Sequence, residues 1–588
     1  MCKGRWLGTA LALVLASPLF VFPLSWLPRS WAHFRYDVTV PLPEIVLAAS
    51  LILGGGTLLR KAIRRDRTTN FPGVLFVANR AIMPVAAVFV SAVVSTRFSE
   101  HSYLGIGLLP RLFGSGVIFL FAASLSRKWA FSSRQLWIPV AFLVAMNGLV
   151  RLKFEPEFLS TFGNWDFLGA YLAASLVVGS FAGGVLSFVG NGVSIVAMLF
   201  CRSRGAWLAL GAVALLWFVF FGGKILRRWQ ARAITVVLAP IIASLLAWPY
   251  IRKQWQLDVR PVIWKATIAM IIDRPVLGHG LGTYVAVYPR YRLPQYFLRP
   301  KSTNVTDHAH DELLEIAAEQ GLVGFLATLW LWATAVWCGV SAVRQSSGLE
   351  RRAVLGLLGA ALVFMLHGLV DVDLRYLPNQ SLLWLLMGLL VGRTATPPGG
   401  TYGSSVSRTA QWMLVAVCLA LGCWIVVSAI IRPMEADWLD RKARLAREQG
   451  EMSATAEYAF RALSLEPFRL STRYLLAGVL ARSPNPSTRQ LAIDQCLHIE
   501  EFAPDYADVT YNLGELYMAA NQVTNAIPYL RRAVEINPYR ADRHLALAVA
   551  LRSTGRNEEA ITQLDLAEKL QPGNEAIRAI RRDIQGNP

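Results

Sequence analysis

Charge is scarce in this chain. Only 16% of its 588 residues are Asp, Glu, Lys or Arg, against 54% hydrophobic, and acidic residues are the scarcer sign, 38 against 58 basic. With a mean hydropathy of +0.42, that shortage excludes a disordered chain and an ordinary soluble globular one, and describes a polytopic membrane protein. The net charge of +20 does not call for nucleic acid. Its basic residues fall in short clusters between apolar runs, the mark of cytoplasmic loops. Cysteine is scarce as well: Cys2, Cys201, Cys338, Cys418, Cys423 and Cys496 are scattered, several inside apolar runs, and show neither a disulfide framework nor zinc-ligand spacing. A cleavage site of small residues is also lacking after "MCKGRWLGTALALVLASPLFVF", so this stretch reads as a first span rather than a signal peptide.

What is present is a series of apolar windows. Those near 6–27, 43–59, 73–95, 105–125, 136–150, 166–186, 187–201, 205–223, 234–250, 321–343, 353–370, 380–392 and 411–431 predict about thirteen helical spans, of which 187–201 is short and interrupted by glycine. The clusters "RKAIRRDR", "SRKWAFSSR", "KILRRWQAR" and "RQSSGLERR" all fall on one side if the N-terminus is inside. The loop 251–320 and everything after 432 then face the extracytoplasmic side. The expected architecture is all-α: a membrane domain over 1–431 that includes this loop, then a soluble domain over 432–588.

Repeats set the fold of that second domain. Pro467, Pro504, Pro538 and Pro572 are spaced 37, 34 and 34 residues apart, and Ala462, Ala533 and Ala567 each lie five positions before one of them. Leu513, Gly514, Tyr517, Ala526, Leu530 and Ala533 recur 34 positions later as Leu547, Ala548, Leu551, Ala560, Leu564 and Ala567. Small residues where helices touch, with proline after the second helix, make the pattern of a tetratricopeptide α-solenoid, whose concave face holds a partner and carries no chemistry of its own. In 468–504 the stretch "RSPNPSTRQ" lengthens a turn. A structural cap over the membrane domain is the alternative role for these repeats.

Two histidines and five acidic residues sit together in "DHAHDELLEIAAEQGLVG", 307–324, against an apolar run. With Thr306 or Asp307 as N-cap and Gly321 as a break, 100° per residue predicts His310 on one face with Leu314, Ala317 and Gly321, turned to the protein, and Glu312, Glu315 and Glu319 opposite, turned to water. His308 and His310, two apart, cannot share a helical face, which argues against a metal grip. Arg202 and Arg204 in "CRSRGAWLAL" stand where a span begins, and Arg260 and Trp264 lie one turn apart ahead of a glycine-rich turn. Arginine forks match phosphate oxygens and histidine accepts a proton near neutral pH, so an outer rim of this kind suits a phosphate-bearing ligand, although arginines at an interface also serve lipid headgroups. Arg80 and Arg111 lie deeper in apolar runs, where charge hints at function. "HGLVDVDL" contains a D-x-D, in which Asp371 reads as a rim polar group.

These stretches together resemble the O-antigen ligase and polymerase superfamily of bacterial envelope glycan transferases. "RSRGAWLAL" is similar to its S-R-G motif. Arg260 to Tyr284 is similar to its external-loop start with a P-x-x-G-x-G turn, and "STFGNWDFLGAYLA" to its G-N segment. His310, Asp311, Gly321 and Gly324 follow its pattern of histidine, polar residue, nine positions and G-x-x-G, with Asp311 where Asn, Ser or Gln is usual. The resemblance covers about 160–375 and implies an integral-membrane glycosyltransferase bundle in a bacterial cytoplasmic membrane. The implied activity moves a glycan from an undecaprenyl-diphosphate carrier to an acceptor hydroxyl of a glycan, lipid or protein. By it, His310 is the catalytic base, Arg260 the arginine heading the external loop, and Arg204, with Arg202 beside it, a diphosphate binder; no metal or other cofactor is implied. The alternative is a non-enzymatic scaffold or transporter presenting the repeats to a protein, though a transporter calls for paired broken helices and symmetric halves.

Overall fold

This computed structural model describes residues 82–152, 164–221 without 202, 257–375 without 301 and 304, 377–394 and 408–585, with a few isolated positions elsewhere. The spans expected near 6–27 and 234–250 lie outside the described residues. Among the described residues all regular structure of any length is helical. The β pairing among the described residues is a two-residue antiparallel bridge, Thr68–Thr69 with Ser404–Ser405. The chain divides into two compact units: Met1–Trp248 with Pro275–Leu281 and His310–Ile431, and Pro249–Arg274 with Gly282–Ala309 and Arg432–Pro588.

The first unit contains α1 (Ile82–Arg97), α2 (Ser102–Leu152), α3 (Trp165–Ala182), α4 (Val185–Cys201) and α5 (Arg204–Phe221). The second unit then contributes α6 (Arg260–Asp273), and the first resumes with α7 (Glu312–Gln345), α8 (Gly348–His367), α9 (Leu377–Thr394) and α10 (Arg408–Ile425). By length and composition, Ser102–Ala123, Glu312–Gln345 and Val415–Glu448 are long and apolar enough to cross a membrane, and α1, α3, α4 and the start of α5 are shorter apolar helices. The windows at 105–125 and 136–150 belong to the single helix α2, so the basic stretch 126–134 is helical rather than a loop; it contains neither glycine nor proline to break the helix. Helices α8 and α9 form the interior: Leu358, Ala361, Phe364, Leu382 and Leu386 are fully buried, and α8 packs along α3 while α9 packs along α2. On α7 the exposed Leu322, Leu326, Trp330 and Trp337 lie on one face and the buried Gly324, Ala327, Leu331 and Ala335 on the other. An apolar outer face of that kind is what a hydrocarbon surround requires.

In the second unit α11 (Arg432–Glu448) and α12 (Met452–Leu465), α13 (Leu470–Leu480) and α14 (Pro486–Phe502), α15 (Val509–Ala519) and α16 (Val523–Ile536), and α17 (Ala541–Ser553) and α18 (Asn557–Leu570) form four helix pairs, followed by α19 (Glu575–Gln585). The stretch with the lengthened turn is such a pair as well: Asn485 caps α14 by accepting the Ser487 amide at 3.0 Å, and Pro486 fills the first helical position. The repeating Ala526, Leu530, Leu547, Ala548, Leu551, Ala560, Leu564 and Ala567 constitute the buried seam.

Candidate active site at the start of α7

The acidic helix begins later than its sequence suggests, and this changes which way every side chain points. Asp311, not Thr306 or Asp307, is the N-cap, with its carboxylate accepting the Leu314 amide at 3.0 Å. Burial raises the Asp311 pKa while those amide hydrogen bonds oppose the rise. His310 therefore lies before the helix, at φ +55°, and shares no face with Leu314 or Ala317. The carboxylates predicted to meet water turn inward. Glu315 and Glu319 are 1% exposed, and with Glu312 they surround Arg375: Nε is 3.2 Å from Glu312 and 3.6 Å from Glu315, and Nη1 is 3.0 Å from Glu319. Burial works against the Arg375 cation, but the three carboxylates outweigh it and hold its pKa well above the ordinary arginine value. An arginine 56 residues further along the chain from Glu319 decides the orientation of the helix.

Gly321 is the predicted break, with φ +65° inside α7. Its hypothetical Cβ would lie 2.2 Å from the Val276 carbonyl oxygen, and one on Gly278 (φ +67°) would lie 2.4 Å from the Glu319 carbonyl carbon. The two glycine motifs thus meet backbone to backbone, joined by Gly280 N–H to Glu319 O at 2.7 Å and Leu322 N–H to Pro275 O at 2.8 Å. Ser95 of α1 adds a hydroxyl to the Glu319 carbonyl at 2.7 Å.

Asp371 is buried, not a rim group. It sits one turn past the end of α8, with its amide on the His367 carbonyl, and its Oδ1 accepts the Val372 amide at 2.8 Å and stands 3.5 Å from His310 Nδ1. The Glu312 amide donates to the Gly368 carbonyl at 2.7 Å, fixing this corner of α7 on the end of α8. His310 keeps about a third of its side chain exposed (34%). Behind this pair, the fully buried His367 Nδ1 lies 3.0 Å from Asp373 Oδ1. Asp166, in the first turn of α3 under the Asn164 cap, joins His367 and Asp371 in a group whose donor atoms lie within 4.8 Å of one another. Those atoms are of types that hold cations, but His367 already faces Asp373 and Asp371 faces His310, so we read the group as a charge network. The Gly205 of the S-R-G stretch faces it: a Cβ there would lie 3.0 Å from His367 Nε2.

Sequence reasoning missed Asp166, His367, Asp373 and Arg375. The available signal was the string "HGLVDVDLR", which sets four ionisable groups, one helical turn and less apart, at the end of an apolar run. Arg204 is the first residue of α5 and exposed; Arg202 and Arg80 lie outside the described residues, and Arg111 lies on α2. A small cleft in the same unit is lined by Glu312, Gln320 and Arg375, and by Leu331, Trp332 and Trp384 among other apolar groups.

Arg260 belongs to the second unit, where it opens α6 with its amide on Asp258 at 3.0 Å. One turn on, the Trp264 indole donates to the Ala309 carbonyl at 2.9 Å, tying α6 to the residue that precedes His310 in the chain. In the same unit Arg292 is caged by aromatic rings, its guanidinium carbon 5.6 Å from Phe297 and 5.8 Å from both Tyr288 and Tyr296. Burial lowers its pKa, against the opposing pull of Tyr288, Tyr296, Asp505 and Asp508.

The segment that holds Arg204, Gly205, Arg260 and His310 is also the one that comparison picks out: residues 189–329 match the O-antigen ligase family. That segment is similar to an O-antigen ligase domain. Residues 517–584 match a tetratricopeptide repeat. The chain is also similar to the UDP-N-acetylglucosamine–peptide N-acetylglucosaminyltransferase of Giardia intestinalis, 32% identical over 88 residues, which are 15% of this chain and 6% of that protein. The O-antigen ligase match ends before Asp371, so the carboxylate beside His310 comes from outside the matched segment.

Proposed function

We propose that this O-antigen ligase-like domain transfers a glycan from an undecaprenyl-diphosphate carrier to an acceptor hydroxyl, outside the cytoplasmic membrane of a bacterium. The approach of His310 to the buried Asp371 carries this reading. Asp371 takes the Nδ1 side of the ring and leaves Nε2 to the acceptor, while it offers charge to the imidazolium that forms. As the new bond forms at the anomeric carbon, the bond to the diphosphate breaks with its electron pair, the hydroxyl proton passes to His310, and the configuration inverts. Arg260, Arg204 and Arg202 are the groups assigned to the diphosphate, whose leaving oxygen needs cationic stabilisation more than a nucleotide or a metal.

The membrane domain in this proposal spans 1–431, and the repeats of 432–588 stand on the periplasmic side. Ligation to lipid A core, chain polymerisation and transfer to a protein share this chemistry and differ only in acceptor. The repeats favour a polymer-handling or protein-acceptor role, since their surface holds a chain or a partner.

Membranes carrying His310→Ala or Arg260→Ala, at wild-type protein level, are expected to lose glycan transfer. Normal transfer by both variants leaves a scaffold presenting repeats as the better account. Mass spectrometry of glycans from a deletion strain then names the acceptor: accumulated single lipid-linked units indicate polymerisation, and accumulated finished chains indicate ligation.

A further inference from the structure

The transfer step uses His310 and Asp371 but not the imidazole–carboxylate pair behind them. His367 and Asp373 are both fully buried and lie 3.0 Å apart. A ring nitrogen of His367 also lies within 4.8 Å of an Asp371 carboxylate oxygen. The chain links them as well, since the Asp371 amide donates to the His367 carbonyl at 3.1 Å, so the ring and the carboxylate ride on one helical turn. A buried carboxylate tends to take up a proton unless a cation stands near it, and a protonated Asp371 has no charge to offer His310. A histidine held by a second carboxylate is a suitable neighbour. Asp373 favours the protonated ring, and the protonated ring favours an ionised Asp371.

We infer that His367, fixed by Asp373, is a positioning residue that keeps Asp371 ionised and turned towards His310. This rests on His310 being the base. The charged and titratable groups beside Asp371 are His310 at the α7 corner, His367 on α8 and Asp166 on α3, with Asp373 of the following turn against the His367 ring. The acceptor's proton stops at His310; none passes to His367. The space opposite Gly205 fits this role, because a side chain there would press on the ring edge and turn it from its two carboxylates.

The test measures transfer of the purified lipid-linked glycan in membrane vesicles from about pH 5 to about pH 9, with His367→Gln, Asp373→Asn, Asp373→Glu and His310→Ala at matched protein level. Without the cation, Asp371 takes up a proton and has no charge to offer His310, so the ionised carboxylate the transfer needs is present only at higher pH. His367→Gln and Asp373→Asn are therefore expected to lower transfer at neutral pH by about tenfold and to move the acid limb of the profile up by about one unit. Asp373→Glu is expected to restore most of both. A loss of transfer with an unmoved acid limb, or wild-type behaviour in both variants, overturns the inference while a dead His310→Ala leaves the base assignment standing. Normal transfer by His310→Ala overturns the base assignment itself.

Discussion

His310 has one ring nitrogen 3.5 Å from a buried carboxylate and a third of its side chain open, which is the arrangement the proposed base requires. Asp371→Asn keeps the shape and removes the charge. Transfer is expected to fall by about 10²- to 10⁴-fold, the range a general base contributes, with little change in thermal stability, because the carboxamide oxygen of the substituted side chain can still accept the Val372 amide. Arg375 differs in kind. Three carboxylates converge on it, two of them 1% exposed, so Arg375→Met strands buried negative charge and is expected to cost about 3–5 kcal/mol. Unfolding of the detergent-solubilised protein measures this. Glu312→Gln, which leaves two carboxylates on the guanidinium, is expected to cost far less, and equal losses from both variants would mean that the arginine merely fills space.

At the level of elements, the two glycine motifs are the joint of the site. Gly321→Ala and Gly278→Ala each combine a left-handed backbone with a Cβ driven onto carbonyl atoms of the other segment, and both are expected to abolish folded protein in a detergent extraction assay. Gly183→Ala supplies the contrast: its φ of +74° is similar, but nothing lies within 4 Å, so it is expected to cost about 1 kcal/mol and leave protein in the membrane. The glycines were legible as a break and a turn; that they face one another was not, because the 43 positions from 278 to 321 hide the pairing. The last two repeats were legible, since each alanine of their seam packs against helices a few residues away and so leaves a local period, whereas in 468–504 the longer turn blurs it. The acidic helix was legible as a helix and misread as to its faces. Periodicity gives which side chains share a side and is silent on which side is covered, and Arg375, the residue that covers it, belongs to a different element. The loop expected between the windows at 105–125 and 136–150 failed for a simpler reason: charge marks a loop only when a breaker accompanies it, and none does within 126–134 of α2.

For the whole molecule, the grouping of the loop segments 249–274 and 282–309 with the repeats rather than with the apolar helices bears on what the repeats are for. Arg292 sits in its aromatic cage within the pull of Asp505 and Asp508. Those two aspartates are tied in turn to Arg532 and Arg543, at 2.7 and 2.5 Å, from the next helices of the repeat array. A solenoid that only recruited a partner would leave the loop indifferent to its removal. One that supports the loop would not. Deletion of 432–588 is accordingly expected to expose 282–309 to limited proteolysis of membrane vesicles and to abolish transfer, although the apolar helices still insert. Arg292→Ala is expected to give a milder form of the same result, with faster cleavage in that segment and partial activity, because it releases the cage and leaves the repeats folded. Should the truncated protein keep a protease-resistant loop and transfer glycan to an altered acceptor, the repeats serve recognition alone and Arg292 is a packing residue.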